Sequence, residues 1–140
     1  TLLGQLHDKL VLRQDDLVVT RNDRGDLAIL VLNPCYFDPK LASDSAFTDS
    51  RRRIYHLHLQ EVAGRKAIDR HHMDNRQTSM YDRWAAMGFP PMMDSRVTEQ
   101  LYKTVNIDYS AYEEVMAGAH TLSLSLNFNE MTIVHIKNKN

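Results

Sequence analysis

The run Leu-Ala-Ile-Leu-Val-Leu, residues 27–32, is apolar at every position and is flanked by turn-forming residues. A short continuous apolar run of this kind indicates a strand that is covered on both faces. Before it, residues 17–21 are rich in β-branched side chains, and the polar segment 22–26 contains Gly25. A strand, a polar turn with glycine and a second strand are typical of a hairpin. The sequence therefore predicts a central antiparallel strand with a hairpin partner.

Outward from this hairpin, further stretches alternate between apolar and polar residues. Residues 54–62 place His56 and His58 on one face, opposite the apolar positions. The stretch 65–72 is more polar, which favours an edge strand, and Gly64 predicts a hairpin between the two. The remaining predicted strands, 121–127 and 131–137, form a final hairpin.

Three short helices complete the expected fold. The leucine spacing over residues 2–11 predicts a helix, and Asp94 or Ser95 is a suitable cap for a second at about 96–105. Residues 34–50 are predicted to be an irregular connection, and 106–120 have no clear pattern. We expect a mainly β fold, an antiparallel β-sandwich with two or three short helices, in one domain of 140 residues.

The third predicted helix lies in the stretch 80–91, which contains the chain's single Trp, Trp84. Tyr81 and Trp84 share one helical face, and Gly88 suits the left-handed position after a helix. Pro90 and Pro91 then end the helix, because proline lacks the N–H group that a continuing helix requires. The aromatic residues Tyr81, Trp84 and Phe89 are candidates either for stacking against a sugar or for packing the helix on a sheet.

Composition excludes several function classes. The net charge is −1, which does not indicate nucleic-acid binding by this segment. No apolar run reaches the roughly 18 residues that a membrane span needs. The single cysteine, Cys35, excludes an internal disulfide and suits a reducing compartment, so we expect a cytoplasmic protein.

Patterns for catalysis and metal binding are weak. Two histidine pairs, His56 with His58 and His71 with His72, could in principle bind zinc from facing strands. Adjacent residues of a strand point to opposite faces, however, and no cysteine pair or helical histidine motif is present. There is also no Gly-x-Ser-x-Gly motif and no marked pair of carboxylates. We therefore predict no catalytic residues, no metal ligands and no cofactor.

The predicted N-terminal helix has an apolar face made of Leu2, Leu3, Leu6 and Leu10. The chain opens at Thr1 in the middle of this pattern, so we expect a fragment whose preceding domain is missing. The leucine face is then the junction with a neighbouring domain of the same parent chain. Exposed in the isolated fragment, it would promote homo-oligomer formation.

Several segments resemble, in order, the C-terminal region of glycoside hydrolase family 39, which contains β-xylosidases and α-L-iduronidases. Asp-Leu-Val-Val-Thr-Arg (16–21) and Leu-Ala-Ile-Leu-Val-Leu-Asn-Pro-Cys-Tyr-Phe-Asp (27–38) resemble the strand pair after the family's barrel. The pattern Tyr81-x-x-Trp84-x-x-Met87-Gly88-x-Pro90 resembles a later segment of the family. Residues 74–79 depart from the family's usual version of that segment.

The resemblance implies a β-sandwich that follows a (β/α)8 barrel. The family's two catalytic Glu residues lie on the barrel, and a barrel of about 250 residues does not fit in this chain. The implied function is a non-catalytic accessory domain, with a neighbouring domain and a carbohydrate as candidate partners. As an alternative, the chain is the C-terminal sensory or structural domain of an AraC-type, sugar-responsive transcription regulator. A free-standing carbohydrate-binding module is disfavoured, because the strands show no row of exposed aromatic residues.

Overall fold

The structure is a computed structural model of the chain. It describes residues 3–38, 40–41, 44–73, 84, 86–88, 94–104, 108–115 and 118–139. The described elements, in chain order, are a 3-10 turn at Leu3–Gln5, then β1 (Lys9–Gln14), β2 (Leu17–Arg21), β3 (Leu27–Leu32), α1 (Ser45–Ser50), β4 (Arg53–Val62), β5 (Lys66–Met73), α2 (Ser95–Thr104), β6 (Asp108–Val115), β7 (Gly118–Leu126) and β8 (Met131–Asn138).

The strands form two antiparallel sheets packed face to face. The large sheet has the order β1-β2-β3-β8-β5-β6, and the small sheet consists of β4 and β7. Side chains from both sheets meet in the main core, whose buried members are Ile29, Val31, Val62, Ile68, Leu122, Leu124, Leu126, Val134 and Ile136. We call the side of the large sheet that carries this core its inner face. The predicted β-sandwich is confirmed.

The opposite side of the large sheet, its outer face, carries a smaller cluster. Leu30 and Ile133 are buried there and contact partly buried residues from the strands and from the N-terminal segment. Residues 27–32 therefore bury side chains on both faces, as their apolar pattern predicts, and β3 lies between β2 and β8. The β2–β3 hairpin is also confirmed by the pairing of Arg21 with Leu27.

Other local predictions hold. Asp94 caps α2, because its Oδ1 accepts a hydrogen bond of 2.9 Å from the backbone N–H of Val97. In β4, Tyr55, Leu57 and Leu59 are half-buried, whereas His56 and His58 are exposed. Gly88 has a φ of 81°, the left-handed conformation expected after a helix.

The predicted N-terminal helix over 2–11 is wrong. Only Leu3–Gln5 forms a single 3-10 turn, and Lys9–Gln14 is a strand that pairs with β2. Isolated helices of about ten residues are marginal in water, and here the same residues gain backbone hydrogen bonds by extending the β2–β3 hairpin. Tertiary pairing has overridden a helical spacing of leucines.

The strand pairings predicted for the second half are also wrong. β4 pairs with β7, and β5 pairs with β6 and β8, so β4 and β5 do not form a hairpin. β5 is consequently an interior strand and not an edge. β7 and β8 lie in different sheets and do not form the final hairpin. The predicted irregular connection 34–50 also contains a short helix, α1, which Asp44 caps.

Asn33 joins the ends of both sheets. Asn33 is 2% exposed, and its Nδ2 donates to the carbonyl oxygens of Arg51, Leu126 and Asn127 at 2.9, 3.2 and 2.9 Å. The buried amide thus holds the end of β3, the start of β4 and the turn between β7 and β8 in one place.

Substitution of Asn33 tests this role. We expect Asn33→Ala to lower the free energy of unfolding by about 2–3 kcal/mol, because buried carbonyl groups lose their donor. Chemical denaturation followed by circular dichroism measures the change. Gln60→Ala, which removes an exposed amide from β4, is the control and should change stability by less than about 0.5 kcal/mol. Equal effects of the two substitutions would contradict the assignment.

Asp26 links the β2–β3 turn to the end of β8. Its carboxylate accepts hydrogen bonds from the backbone N–H of Asn138 at 2.9 Å and from Asn22 Nδ2 at 3.0 Å. The bond from Asn138 is the main reason that the pKa of Asp26 lies below its usual 3.8, and the bond from Asn22 adds to it. The ionised carboxylate therefore stabilises the folded state.

This lowered pKa has a testable consequence. Stability gained from Asp26 is present above about pH 4 and is lost as the pH falls through the folded-state pKa. At pH 7, Asp26→Asn should cost only about 0.5–1 kcal/mol, because Asp26 is half-buried and solvent screens part of its interactions. The difference from wild type should vanish on acidification. Thermal unfolding from pH 2 to pH 7 measures it, and Asp15→Asn, at an exposed carboxylate, is the control.

Candidate functional site

The predicted aromatic site is only partly described. Trp84 is half-buried in a helical turn, where the N–H of Met87 donates to its carbonyl oxygen at 3.2 Å. Tyr81 and Phe89 lie outside the described residues. The sugar-stacking role of Tyr81, Trp84 and Phe89 stays a prediction.

Of the four predicted junction leucines, the structure describes Leu3, Leu6 and Leu10. Leu2 lies outside the described residues. Leu6 is half-buried against the apolar cluster of Leu30 and Ile133, whereas Leu3 and Leu10 are 58% and 63% exposed. The three described leucines do not share one helix, because Leu3 is in the 3-10 turn and Leu10 is in β1.

Strand β1 exposes a patch of large apolar side chains at the edge of the sheet. Leu10, Val11 and Leu12 are 63%, 52% and 43% exposed, and we call them the edge-strand patch. A bulge between Leu10 and Leu12 places Leu10 opposite Thr20 and Leu12 opposite Val19. Because directly opposed residues share a face, the two leucines lie on opposite sides of the sheet. An exposed apolar edge is typical of a surface that contacts another chain or domain.

A polar cluster lies on the outer face, where β5 and β8 are neighbours. Asp69 pairs directly with His135, and His71 follows two residues later on the same face of β5. The Nδ1 of His135 lies 3.1 Å from Asp69 Oδ1, and His71 Nε2 lies 3.7 Å from the same oxygen. Lys137 Nζ contacts Asp69 Oδ2 at 3.2 Å. We call Asp69, His71, His135 and Lys137 the outer-face cluster.

The N-terminal segment covers this cluster. His135 Nε2 lies 3.2 Å from the carbonyl oxygen of Gln5, and the His7 ring centroid is 6.2 Å from that of His135. The side chains of His135 and Asp69 are consequently only 10% and 15% exposed. The backbone N–H of His7 donates to Thr20 Oγ1 at 2.9 Å, which fixes the segment on β2.

Sequence reasoning missed the outer-face cluster. His71 and His72 were considered together with His56 and His58, but the two pairs lie in different sheets. The available signal was the Asp-x-His spacing in β5, which places two polar side chains on one face. Its partner His135 is 66 residues away from Asp69, and only the strand order brings them together.

The described Glu residues differ in their surroundings. Of the Glu side chains that the structure describes, Glu130 is buried and Glu99 is exposed. Glu130 Oε2 accepts from the N–H of Asn127 at 2.7 Å, and its Oε1 lies 3.6 Å from Arg70 Nη2. Burial lowers the pKa of Arg70, an effect that the charge of Glu130 partly offsets. Glu130 therefore stabilises the turn before β8.

Solved structures of glycoside hydrolases contain the same fold. The GH39 enzyme from Xanthomonas axonopodis pv. citri matches with a TM-score of 0.68 and 14% identity, over 99% of this chain and 29% of that enzyme. A monomeric β-xylosidase from Caulobacter crescentus CB15 matches with a TM-score of 0.63 and 14% identity, over 97% of this chain and 29% of that one. This chain has the fold of one part of the GH39 enzymes.

A third match extends the fold likeness to another activity. The bacterial orthologue of human α-L-iduronidase matches with a TM-score of 0.61 and 16% identity, over 99% of this chain and 26% of that one. No protein-family model and no curated protein matches the sequence. The chain thus spans less than a third of the length of the enzymes that share its fold. Within the described ranges, no helix has the length and apolar character that crossing a membrane requires.

Proposed function

We propose that this chain is a non-catalytic accessory β-sandwich domain of a longer, GH39-like protein. The observation that carries the proposal is the coverage of the structural match, 99% of this chain but 29% of the Xanthomonas enzyme. On this proposal the parent hydrolyses β-xylosides and acts in carbohydrate metabolism, while the active site lies outside these residues. Two described carboxylates, Glu130 and Asp69, form ion pairs within the sandwich, which favours a structural role for them in this domain.

The domain stabilises its neighbour by packing against it. Leu3, Leu10 and the rest of the edge-strand patch supply the contact surface, because their exposure is costly in water and is relieved by burial against another apolar surface. This surface lies at the N-terminal side of the sandwich, where the resemblance expects the barrel to precede it. The regulator alternative places a different domain on the same surface, and no feature of the described residues favours it.

Self-association tests the contact surface. We expect the isolated chain to dimerise at high concentration. The double variant Leu3→Ser with Leu10→Ser should weaken the dimer at least about tenfold, because the dimer interface then buries two apolar side chains fewer. Sedimentation velocity over a concentration series measures the dissociation constant. Ile54→Ser is the matched control, because Ile54 is 62% exposed on β4 of the small sheet.

Two results would contradict this part of the proposal. One is a chain that stays monomeric at every concentration; the other is an equal effect of Ile54→Ser and the double leucine variant. As a control, the unfolding temperature of each variant is compared with that of the wild type, which shows whether the sandwich itself has been destabilised.

Activity and sugar binding are tested on the same protein. We expect no turnover of a chromogenic β-xyloside, because the barrel carries the chemistry. Calorimetric titration with xylose, xylobiose and xylan oligomers decides whether the domain also binds sugar. If it does, Trp84→Ala should abolish the binding, whereas Tyr36→Ala, at a fully exposed aromatic residue on another loop, should not. Turnover by the isolated chain would refute the accessory role.

A further inference from the structure

The outer-face cluster has the donor atoms and the spacing of a metal site. One ligand atom each from Asp69, His71 and His135 can be chosen so that all three lie within 4.8 Å of one another. Zinc binds nitrogen at about 2.0–2.1 Å and carboxylate oxygen at about 2.0–2.2 Å, so tetrahedral ligands lie about 3.3–3.5 Å apart. The separations of 3.1 and 3.7 Å from Asp69 Oδ1 to the two imidazole nitrogens bracket that value.

The hydrogen bonding of His135 supplies a second argument. Its Nδ1 faces the carboxylate of Asp69 and its Nε2 faces the carbonyl of Gln5, and both of these groups are acceptors. A neutral imidazole has one N–H group, so it can satisfy only one of them. When Nε2–H donates to Gln5, the lone pair of Nδ1 points at a carboxylate oxygen, and a cation between the two atoms removes this conflict. Metal-binding histidines usually donate their other N–H to a backbone carbonyl in this way.

The framework around the three side chains is suited to holding an ion. Asp69 and His135 are direct cross-strand partners inside the large sheet, and His71 is fixed on the same strand as Asp69. Lys137 contacts the other carboxylate oxygen, Oδ2, and leaves Oδ1 facing the histidines. The nearby His7 Nε2 and Gln5 Oε1 are buried and have no hydrogen-bond partner in the described part of the chain.

We propose that Asp69, His71 and His135 bind a divalent transition-metal cation, with zinc as the best fit. Asp69 Oδ1, His71 Nε2 and His135 Nδ1 are the ligands, and a water molecule takes the fourth position. The ion joins β5 to β8 and, through the second nitrogen of His135, fixes the N-terminal turn on the sheet. This site is independent of the accessory role proposed above, and a metal-free result would leave that role unchanged.

The test is titration of the metal-free chain with Zn²⁺ against a chromogenic chelator, together with Co²⁺ as a spectroscopic probe. We expect one ion per chain and visible Co²⁺ bands typical of four-coordinate nitrogen and oxygen ligation. Zn²⁺ should also raise the unfolding temperature, because it binds only the folded chain. His71→Asn and Asp69→Asn should each weaken binding at least about tenfold.

The matched control is the double variant His56→Asn with His58→Asn. These histidines are also two residues apart on a strand, but they are exposed, and their Nδ1 atoms contact Ser123 and Thr121. The control should bind Zn²⁺ with unchanged affinity. Wild-type protein that shows no stoichiometric binding would overturn the proposal, whether or not the variants fold. So would binding that survives His71→Asn and is lost in the control, since this places the ion on the small sheet.

Discussion

The side-chain amide of Asn33 is the interaction on which the two-sheet arrangement depends. The chain passes from β7 in the small sheet to β8 in the large sheet over residues 127–130. At this crossing the carbonyl groups of Leu126 and Asn127 lie buried or part-buried at the end of β7. Asn33 Nδ2 satisfies the carbonyls of Leu126 and Asn127, while its backbone N–H donates to Glu130 at 3.1 Å. Buried carbonyl groups without a hydrogen bond are costly, so the side-chain amide of Asn33 stabilises the crossing.

The residues around this crossing support the same geometry. Asn129 has a φ of 53°, a left-handed conformation that asparagine tolerates better than most residues, and its N–H donates to the carbonyl of Asn33 at 2.8 Å. Tyr55 holds the sheets together nearby, because its hydroxyl donates to the carbonyl of Leu32 at 2.9 Å and burial raises its pKa. The two sheets are thus joined by polar contacts at their rim and by apolar contacts in the core.

Local patterns predicted the elements of this fold better than their pairing. The apolar run 27–32 and the Asp94 cap each have a cause within a few residues, so both were predicted correctly. Alternation in β4 shows which side chains are buried, but it carries no information about the partner strand. The hairpin predicted between β4 and β5 failed for this reason. The prediction of an N-terminal helix failed for a different reason. The helical spacing of the leucines favours a helix, but residues 9–14 gain more by pairing with β2.

The error made for β5 concerns the strand that carries two of the proposed metal ligands. Its polar sequence predicts an edge strand because interior strands normally carry apolar side chains on their buried faces. In the structure β5 is interior. Its Asp69 carboxylate contacts His135 and Lys137 from β8, and it also lies near His71 on its own strand. A buried polar cluster contributes little net stability compared with apolar packing. Places where a sequence breaks the local rule of its element are expected to be functional or strained. The inner face of the large sheet therefore carries the main apolar core, whereas the proposed metal ligands lie on its outer face.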